Sequence, residues 1–286
     1  MPENSTLWVR VLRPARTEVL GRVVVLPHSG AGPNTLAPLA HRLPDGFEVA
    51  GVTLPGRERR FGESPQTLVE EPDRAVASVV AELRALPPLP TVLFGHSMGA
   101  AFAAAVAIDA PELCHGLVLS AHPTLESRAG RDGPWSDSDL LDVIRLGGGD
   151  TPTELLDDEV IRRHLITRLR CDLTLGRHLA ERNKGRALPV VPTVLGGLDD
   201  ELVPPPDLDR WSGLPGADTT VRFHPGGHFY LLDEANLDAV AAEIVRPFGA
   251  AGGSAPTAAA AAAPTAAERR RIPLASTPPS PARRRD

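Results

Sequence analysis

Residues 94–100 read Phe-Gly-His-Ser-Met-Gly-Ala, directly after the apolar run Thr91–Phe94 and directly before an alanine-rich stretch. A G-x-S-x-G sequence between a strand and a helix is typical of a nucleophile elbow, the sharp turn that exposes a serine above a parallel sheet. The two glycines suit such a turn because its backbone is strained and neighbouring segments pass closely. We therefore expect Ser97 to be a catalytic nucleophile. The alternative is an ordinary strand–helix turn with a capping serine.

An acid for the same site is expected further along the chain, because this motif is followed by its partners in the order Ser, Asp, His. Asp199 and Asp200 come directly after the apolar run Val190–Gly197 and the intervening Leu198. A carboxylate just past a strand end can hold a histidine ring in one tautomer. We favour Asp200, with Asp199 as the second choice. The alternative is that both acids are solvated turn residues.

The histidine of the site is expected after the last predicted strand, Thr219–His224. His228 follows a Pro-Gly-Gly loop and precedes a helix predicted to begin near Asp233. A general base above the edge of the sheet would lie in such a loop. His224 is the competing candidate, but its place inside the strand favours a structural role.

A glycine-rich loop, residues 27–34, follows the predicted strand Arg22–Leu26. Acyl transfer requires hydrogen-bond donors for the oxyanion of the tetrahedral intermediate. We expect one donor to be the backbone N–H of Met98, the residue after the nucleophile. The second is expected to be the N–H of Ser29, with His28 as the neighbouring alternative. The loop lacks the Lys-Ser/Thr ending of a phosphate-binding P-loop.

Strand-like and helix-like segments alternate along the chain, which predicts an α/β fold with a mostly parallel sheet covered by helices on both faces. Binding sites in such sheets lie beyond the carboxyl ends of the strands, where all the candidate residues fall. The alanines after Met98 predict a helix that packs closely on the central strand. The predicted strands are Arg22–Leu26, Phe47–Thr53, Thr91–Phe94, Gly116–Ser120, Val190–Leu195 and Thr219–His224, and the predicted helices include Asn34–Arg42, Glu70–Leu86 and Met98–Asp109.

An insertion at about residues 124–186 separates the elbow from the acid. Its stretches Asp139–Leu146 and Asp157–Ala180 carry apolar residues at helical spacing. A helical insertion at this point is expected to cover the active site as a lid that excludes water and shapes an acyl pocket. The alternative is a subdomain that makes no contact with substrate.

Composition separates a main domain, residues 1–249, from a tail, residues 250–286. The tail is rich in Ala and Pro and carries six arginines against two acids, and we expect it to be disordered. An inert extension is favoured over a nucleic-acid contact. The chain has no apolar run long enough to span a membrane and only two cysteines, and residues 1–10 are too polar for the apolar core of a signal peptide. We therefore expect no signal peptide, a reduced cytoplasmic setting and a monomer.

Several motifs together resemble one family, the type II thioesterases, which are stand-alone α/β-hydrolases of polyketide and nonribosomal peptide synthesis. The resemblance covers roughly residues 7–248, and its most specific part is the Pro-Gly-Arg-Glu-Arg run after the second predicted strand. That run is expected to be a structural loop held by salt bridges rather than a substrate contact. The segments that carry the resemblance are residues 26–32, 54–60, 94–100, 169–173 and 226–229.

The resemblance implies hydrolysis of acyl groups from the phosphopantetheine arm of acyl or peptidyl carrier domains, which clears aberrant or stalled chains from a synthase of antibiotic biosynthesis. It implies a triad of Ser97, Asp200 and His228, and neither a metal nor a cofactor beyond the arm that the substrate carries. The alternative is a broader thioester hydrolase or carboxylesterase that releases a medium-chain acid. A third hypothesis, a docking module that has lost its activity, is disfavoured because Ser97, Asp200 and His228 are all present.

Overall fold

The computed structural model describes residues 8–127, 135–146, 156–213 and 219–250. In this part of the chain seven strands form one sheet in the order β1-β3-β2-β4-β5-β6-β7. All neighbouring strands pair in parallel except β1 and β3. The strands are β1 Val9–Arg13, β2 Gly21–Leu26, β3 Phe47–Val52, β4 Thr91–His96, β5 Gly116–Ser120, β6 Thr193–Gly197 and β7 Thr220–His224.

Helices cover both faces of the sheet, as the alternation of elements predicted. Successive residues of a strand face opposite sides, so Val24 and Leu26 join the core under one helical layer while Val23 and Val25 join the other. Helices α3 and α4 pack on the first face, α6 packs on the outer side of α4, and α1 and α8 pack on the second face. The helices are α1 Ala37–Arg42, α2 Thr67–Glu70, α3 Pro72–Ala85, α4 Met98–Asp109, α5 Asp137–Leu146, α6 Glu159–Asn183, α7 Pro205–Asp209 and α8 Leu237–Ala250.

The alanine-rich helix α4 is the most deeply buried of these helices. Every residue from Met98 to Ala107 is buried, and the helix has no polar face. Side chains of one carbon let its backbone approach the central strands β4 and β5 closely. This packing fixes the direction in which the helix leaves the sheet, and with it the position of its first residue.

The helix predicted from Asn34 begins at Ala37, after a 3-10 turn, and three further differences from the predicted elements have a physical reason. The first strand, β1, was not predicted: it is a half-exposed antiparallel edge strand outside the repeated strand–helix pattern. Strand β6 begins at Thr193 rather than at Val190, because Pro192 has no N–H for the ladder. The last helix begins at Leu237 rather than near Asp233, after a separate 3-10 turn.

The tail predicted to be disordered lies outside the described residues, apart from Ala250 at the end of α8. Parts of the insertion, residues 128–134 and 147–155, also lie outside them. Within the described residues, the insertion contributes α5 and the long helix α6. No helix of this part of the chain is long and apolar enough to cross a bilayer.

Candidate active site

Ser97 lies in the turn between β4 and α4, with φ 55° and ψ −120°. A positive φ is uncommon for a residue with a side chain and marks local backbone strain. Hydrogen bonds hold the turn on both sides: the Ser97 N–H donates to the Ser120 carbonyl at 2.8 Å, and the Ala100 N–H donates to the Ser97 carbonyl at 2.9 Å. The strained serine is therefore built into the fold at the carboxyl edge of the sheet.

Steric crowding explains both glycines of the motif. A Cβ atom on Gly95 would clash with the backbone of Gly99. A Cβ atom on Gly99 would clash with the carbonyl oxygens of Leu26 and Pro27. The loop after β2 therefore lies directly against the elbow, as a second source of oxyanion donors requires.

Asp200 and His228 are hydrogen-bonded to each other. The Nδ1 of His228 lies 2.8 Å from Oδ2 of Asp200, and because a carboxylate only accepts, the imidazole donates. Oδ1 of Asp200 accepts the backbone N–H groups of Leu202 at 2.8 Å and Val203 at 2.9 Å. Asp200 is buried, whereas Asp199 is exposed, and its backbone N–H donates to the Gly226 carbonyl at 2.9 Å.

The ring of His228 lies beside the elbow. Its centroid is 5.0 Å from that of His96, the residue before Ser97. The three predicted residues, Ser97 after β4, Asp200 after β6 and His228 after β7, thus lie at the same edge of the sheet. The competing histidine, His224, is instead stacked on Tyr230 with ring centroids 5.3 Å apart. The catalytic roles of Ser97, Asp200 and His228 stay predictions, now with a matching geometry.

The loop after β2 forms a tight turn at the predicted oxyanion donor. The carbonyl of His28 accepts the N–H of Ala31 at 3.1 Å, and Gly30 has φ 83°, as in a type II turn. The N–H of Ser29 has no acceptor among the described residues. Met98 is the first residue of α4, and the N–H groups of a first helical turn have no acceptor within the helix. Both N–H groups are therefore available to a ligand.

Two buried histidines line the site without taking part in the Asp200 interaction. The ring of His28 contacts those of His96 and Phe229 at centroid distances of 5.6 and 4.8 Å. Burial, together with the neighbouring side chains of His228 and Arg57, lowers the pKa of His28 to about 3. Burial likewise lowers the pKa of His96 well below its ordinary value. Both rings are therefore neutral near pH 7.

Below the elbow a chain of buried hydrogen bonds connects β4, β5 and the segment after His228. The Nδ1 of His96 lies 2.8 Å from the Ser120 hydroxyl, which lies 2.7 Å from the Tyr230 hydroxyl. Burial raises the pKa of Tyr230 well above its ordinary value, so the phenol stays protonated. These hydrogen bonds fix the ends of the strands that support the candidate site.

Helix α6 of the insertion lies over the elbow and the oxyanion loop. A Cβ atom on Gly176 would lie 3.0 Å from the Met98 side chain, and one on Gly30 would lie 3.5 Å from that of Leu169. The insertion therefore contacts both predicted sources of oxyanion donors, and its role as a lid over the substrate stays a prediction.

A buried ion pair between Arg57 and Asp172 was not predicted from the sequence. The guanidinium donates to both carboxylate oxygens, at 2.6 and 2.7 Å, and the side chains are 2% and 0% exposed. The sequence feature that could have indicated this pair is Asp172, an acid on the apolar face of α6 between Leu169 and Leu175. Together with the Arg60–Glu63 pair it shows that the arginine-rich loop is held by salt bridges, as expected.

Neither cysteine is bonded to another: Cys114 and Cys171 are both free and buried. Burial raises the pKa of Cys171 to about 11, with the nearby Asp172 charge acting in the same direction. Among the described residues there is no group of three His, Cys, Asp or Glu side chains placed to hold a metal ion.

Comparison with known proteins identifies the family of the chain. A family model for the thioesterase domain matches residues 21–247. A probable cadicidin biosynthesis thioesterase from Streptomyces griseus is 30% identical over 256 residues, which cover 85% of this chain and 66% of that protein, slightly less than two thirds. The medium-chain S-acyl fatty acid synthase thioesterase of Homo sapiens is 28% identical over 239 residues, covering 80% of this chain and 88% of that protein.

Solved structures give the same result. The type II thioesterase BorB from the borrelidin biosynthetic cluster matches with a TM-score of 0.64 and 28% identity, covering 85% of this chain and 97% of that one. The sheet order, the elbow and the family match together define an α/β-hydrolase. The chain belongs to the thioesterase family, and the resemblance to its type II members is confirmed.

Proposed function

We propose that the chain hydrolyses acyl thioesters on the phosphopantetheine arm of carrier domains, with Ser97 as nucleophile, His228 as general base and Asp200 as the residue that orients it. The observation that carries the proposal is the 2.8 Å hydrogen bond between His228 and a buried Asp200, beside a strained Ser97, in a member of the thioesterase family. The proposed partners are acyl or peptidyl carrier domains of a synthase.

In the acylation step, Nε2 of His228 takes the proton of the Ser97 hydroxyl while the oxygen attacks the thioester carbonyl carbon. Asp200 stabilises the resulting imidazolium and holds its ring. The N–H groups of Met98 and Ser29 bind the oxyanion of the tetrahedral intermediate. The carbon–sulfur bond then breaks, the proton on His228 passes to the sulfur, and the carrier leaves with a free thiol.

In the deacylation step, His228 takes a proton from water, and the resulting hydroxide attacks the acyl carbon on Ser97. The second tetrahedral intermediate collapses when the Ser97 oxygen leaves and receives the proton from His228. The acid is released and the enzyme returns to its starting state. These steps use only groups of the chain, the substrate and water, so no metal or cofactor is part of the proposal.

The editing role rests on the relatives. One relative carries the name of a cadicidin biosynthesis thioesterase, and a solved neighbour comes from the borrelidin cluster. A lid that lies directly over the elbow suits an enzyme whose substrate enters as an acyl group on a slender arm. Removal of misprimed or stalled acyl groups from a synthase is the function that fits both observations.

The test is acid release from carrier protein loaded with acetyl or longer acyl groups, measured for the parent and for Ser97→Ala. The proposal predicts release of short acyl groups by the parent and release at the background rate by Ser97→Ala. Cleavage of small esters without any release from carrier protein would contradict it. Release by Ser97→Ala at the parent rate would contradict the assigned nucleophile.

A second candidate function is release of a medium-chain acid by a broader thioester hydrolase, and the human medium-chain relative favours it. The dependence of turnover on the length of the acyl group distinguishes the two candidate functions. Turnover that rises steeply from two-carbon to medium-chain acyl groups on the same carrier would support the second candidate. Turnover that is greatest for short groups would support the editing thioesterase.

A further inference from the structure

The lid helix places a buried carboxylate against the oxyanion loop. Asp172 lies in the middle of α6, and its Oδ2 accepts the backbone N–H of Gly30 at 2.7 Å. A hydrogen bond to an ionised acceptor is shorter and about twice as strong as one between neutral groups. Because Gly30 is the residue after Ser29, the lid is bonded directly to the turn that carries the predicted oxyanion donor.

Arg57 holds the same turn from a second side. Its guanidinium donates one N–H group to the Ala31 carbonyl at 2.9 Å while it pairs with both oxygens of Asp172. The two side chains therefore fix the N–H of Gly30 and the C=O of Ala31 together. These contacts join three segments that are distant in sequence: the loop after β2, the loop after β3 and helix α6.

The geometry of the turn transmits this constraint to Ser29. Only the φ and ψ angles of Ser29 separate its own N–H from the N–H of Gly30. The Ser29 N–H belongs to the His28–Ser29 peptide group, whose carbonyl accepts the Ala31 N–H at 3.1 Å. Asp172 accepts the next N–H of the turn, that of Gly30, and Arg57 donates to the Ala31 carbonyl, so rotation of the His28–Ser29 peptide group would break a turn that both side chains hold. The Ser29 N–H is thereby held in one direction before substrate arrives.

We propose that Asp172 and Arg57 are positioning residues for the oxyanion hole, and that the lid helix helps to assemble this part of the catalytic site. The inference rests on the proposed function, because it assumes that Ser29 donates to the oxyanion. Arg57 has a second role in it. The guanidinium compensates a carboxylate next to the hole, whose charge would otherwise oppose the developing negative charge on the substrate.

Two variants test the inference: Asp172→Asn removes the charge and Arg57→Lys removes the forked contact with Asp172 and Ala31. Deletion of a whole oxyanion donor lowers kcat by about 10²–10³-fold, so we expect misorientation to lower it by about 10-fold, with KM changed less than twofold. The matched control is Asp109→Asn, at the last residue of α4, which removes the ion pairs of Asp109 with Arg182 in the last turn of α6 and with Arg186 just after that helix. This control is expected to keep the parent kcat.

The decisive readout is inhibition by an alkyl boronic acid, whose tetrahedral adduct with Ser97 places an anionic oxygen in the hole. Rates and inhibition constants are measured per active site, after titration with a fluorophosphonate, so misfolded protein does not contribute. The inference predicts that the inhibition constant rises by the factor by which kcat/KM falls. If every variant that folds has the same kcat/KM and the same inhibition constant per active site as the parent, Arg57 and Asp172 only stabilise the fold.

Failure of the proposed function gives a different result from failure of this inference. If Ser97→Ala kept activity or boronic acid binding, the assigned nucleophile would be wrong whatever the two variants do. If activity depended on Ser97 while Asp172→Asn and Arg57→Lys matched the parent, only the positioning role would be overturned. If Asp172→Asn yields no folded protein, Arg57→Lys, which keeps the positive charge beside Asp172, decides alone.

Discussion

His228 donates a hydrogen bond of 2.8 Å to one oxygen of the Asp200 carboxylate, and the other oxygen is bonded to the backbone. One oxygen accepts the imidazole N–H, and the other accepts the N–H groups of Leu202 and Val203. The carboxylate cannot rotate without losing backbone bonds, so the direction of the imidazole ring is set by the fold of the loop after β6. The ring held in this way lies beside the elbow, with its centroid 5.0 Å from that of His96.

The two neighbouring acids of this loop are expected to differ sharply. Asp200→Asn is predicted to lower kcat by about 10²–10⁴-fold, because the amide no longer fixes the imidazole tautomer or stabilises the imidazolium. Asp199→Asn is the matched control and is predicted to stay within twofold of the parent, because that side chain is exposed. Steady-state rates on one acyl-carrier substrate check both. The reverse ranking would identify Asp199 as the acid.

The glycine of the elbow that contacts the oxyanion loop is expected to tolerate no side chain. Gly99→Ala would push a methyl group into the carbonyls of Leu26 and Pro27, and overpacking of this kind costs about 1–3 kcal/mol or more. We predict a lower free energy of unfolding and loss of most activity. Gly62→Ala, where a Cβ atom meets nothing within 4 Å, should match the parent in denaturant titrations. Equal stability of the two variants would contradict the crowding argument.

The buried histidines predict a loss of stability in acid. A histidine that is neutral when folded and has a lowered pKa binds fewer protons than in the unfolded chain. For His28, whose pKa is about 3 against an ordinary 6.5, the stabilisation is complete above pH 6.5 and is lost as the pH falls from 6.5 towards 3. Near the middle of that window, His28 contributes about 1.4 kcal/mol per pH unit to the dependence of the free energy of unfolding on pH.

His28→Phe keeps a ring in the same place and removes the titrating group. Its free energy of unfolding is predicted to depend less on pH than that of the parent between pH 6.5 and 4. His41→Phe, at an exposed position of α1, is the control and should keep the parent slope. Denaturant titrations at several pH values measure this. Identical slopes for His28→Phe and the parent would contradict the prediction.

The hydrogen-bond chain below the elbow is expected to stabilise the fold without taking part in the chemistry. Tyr230→Phe removes one hydroxyl and leaves the Ser120 hydroxyl bonded to His96 alone. Loss of a buried partner is predicted to lower the free energy of unfolding by about 1–2 kcal/mol, with kcat within about threefold of the parent. A kcat that falls with unchanged stability would place Tyr230 in the reaction instead.

Much of the site was predictable because local sequence determines it. The elbow, the acid and the histidine each follow a strand, and the carboxyl ends of parallel strands share one edge of the sheet. The choice of Asp200 over Asp199 rested on spacing alone. The structure adds the physical reason for it: only Asp200 is turned inward, where two backbone N–H groups and His228 surround its carboxylate.

What could not be predicted depends on contacts between distant segments. The Arg57–Asp172 pair joins residues 115 positions apart, and a single sequence does not indicate which arginine a buried acid will meet. Strand β1 pairs antiparallel at the sheet edge, and only its partner β3 determines its place. The start of α8 depends on Asn236, whose side chain donates to the carbonyls of Pro225 and Tyr230.

The most direct test of the account is detection of the acyl-enzyme. The enzyme is mixed with acyl-loaded carrier protein, quenched in acid within the first turnover, and examined by intact mass and peptide mapping. The account predicts that the peptide containing Ser97 gains the mass of the acyl group, that Ser97→Ala gains none, and that one equivalent of carrier thiol appears. An acyl group on a residue other than Ser97 would contradict the assignment of Ser97 as the nucleophile. Release of acid with no acyl-enzyme detected, in the parent and in His228→Ala, would also contradict it.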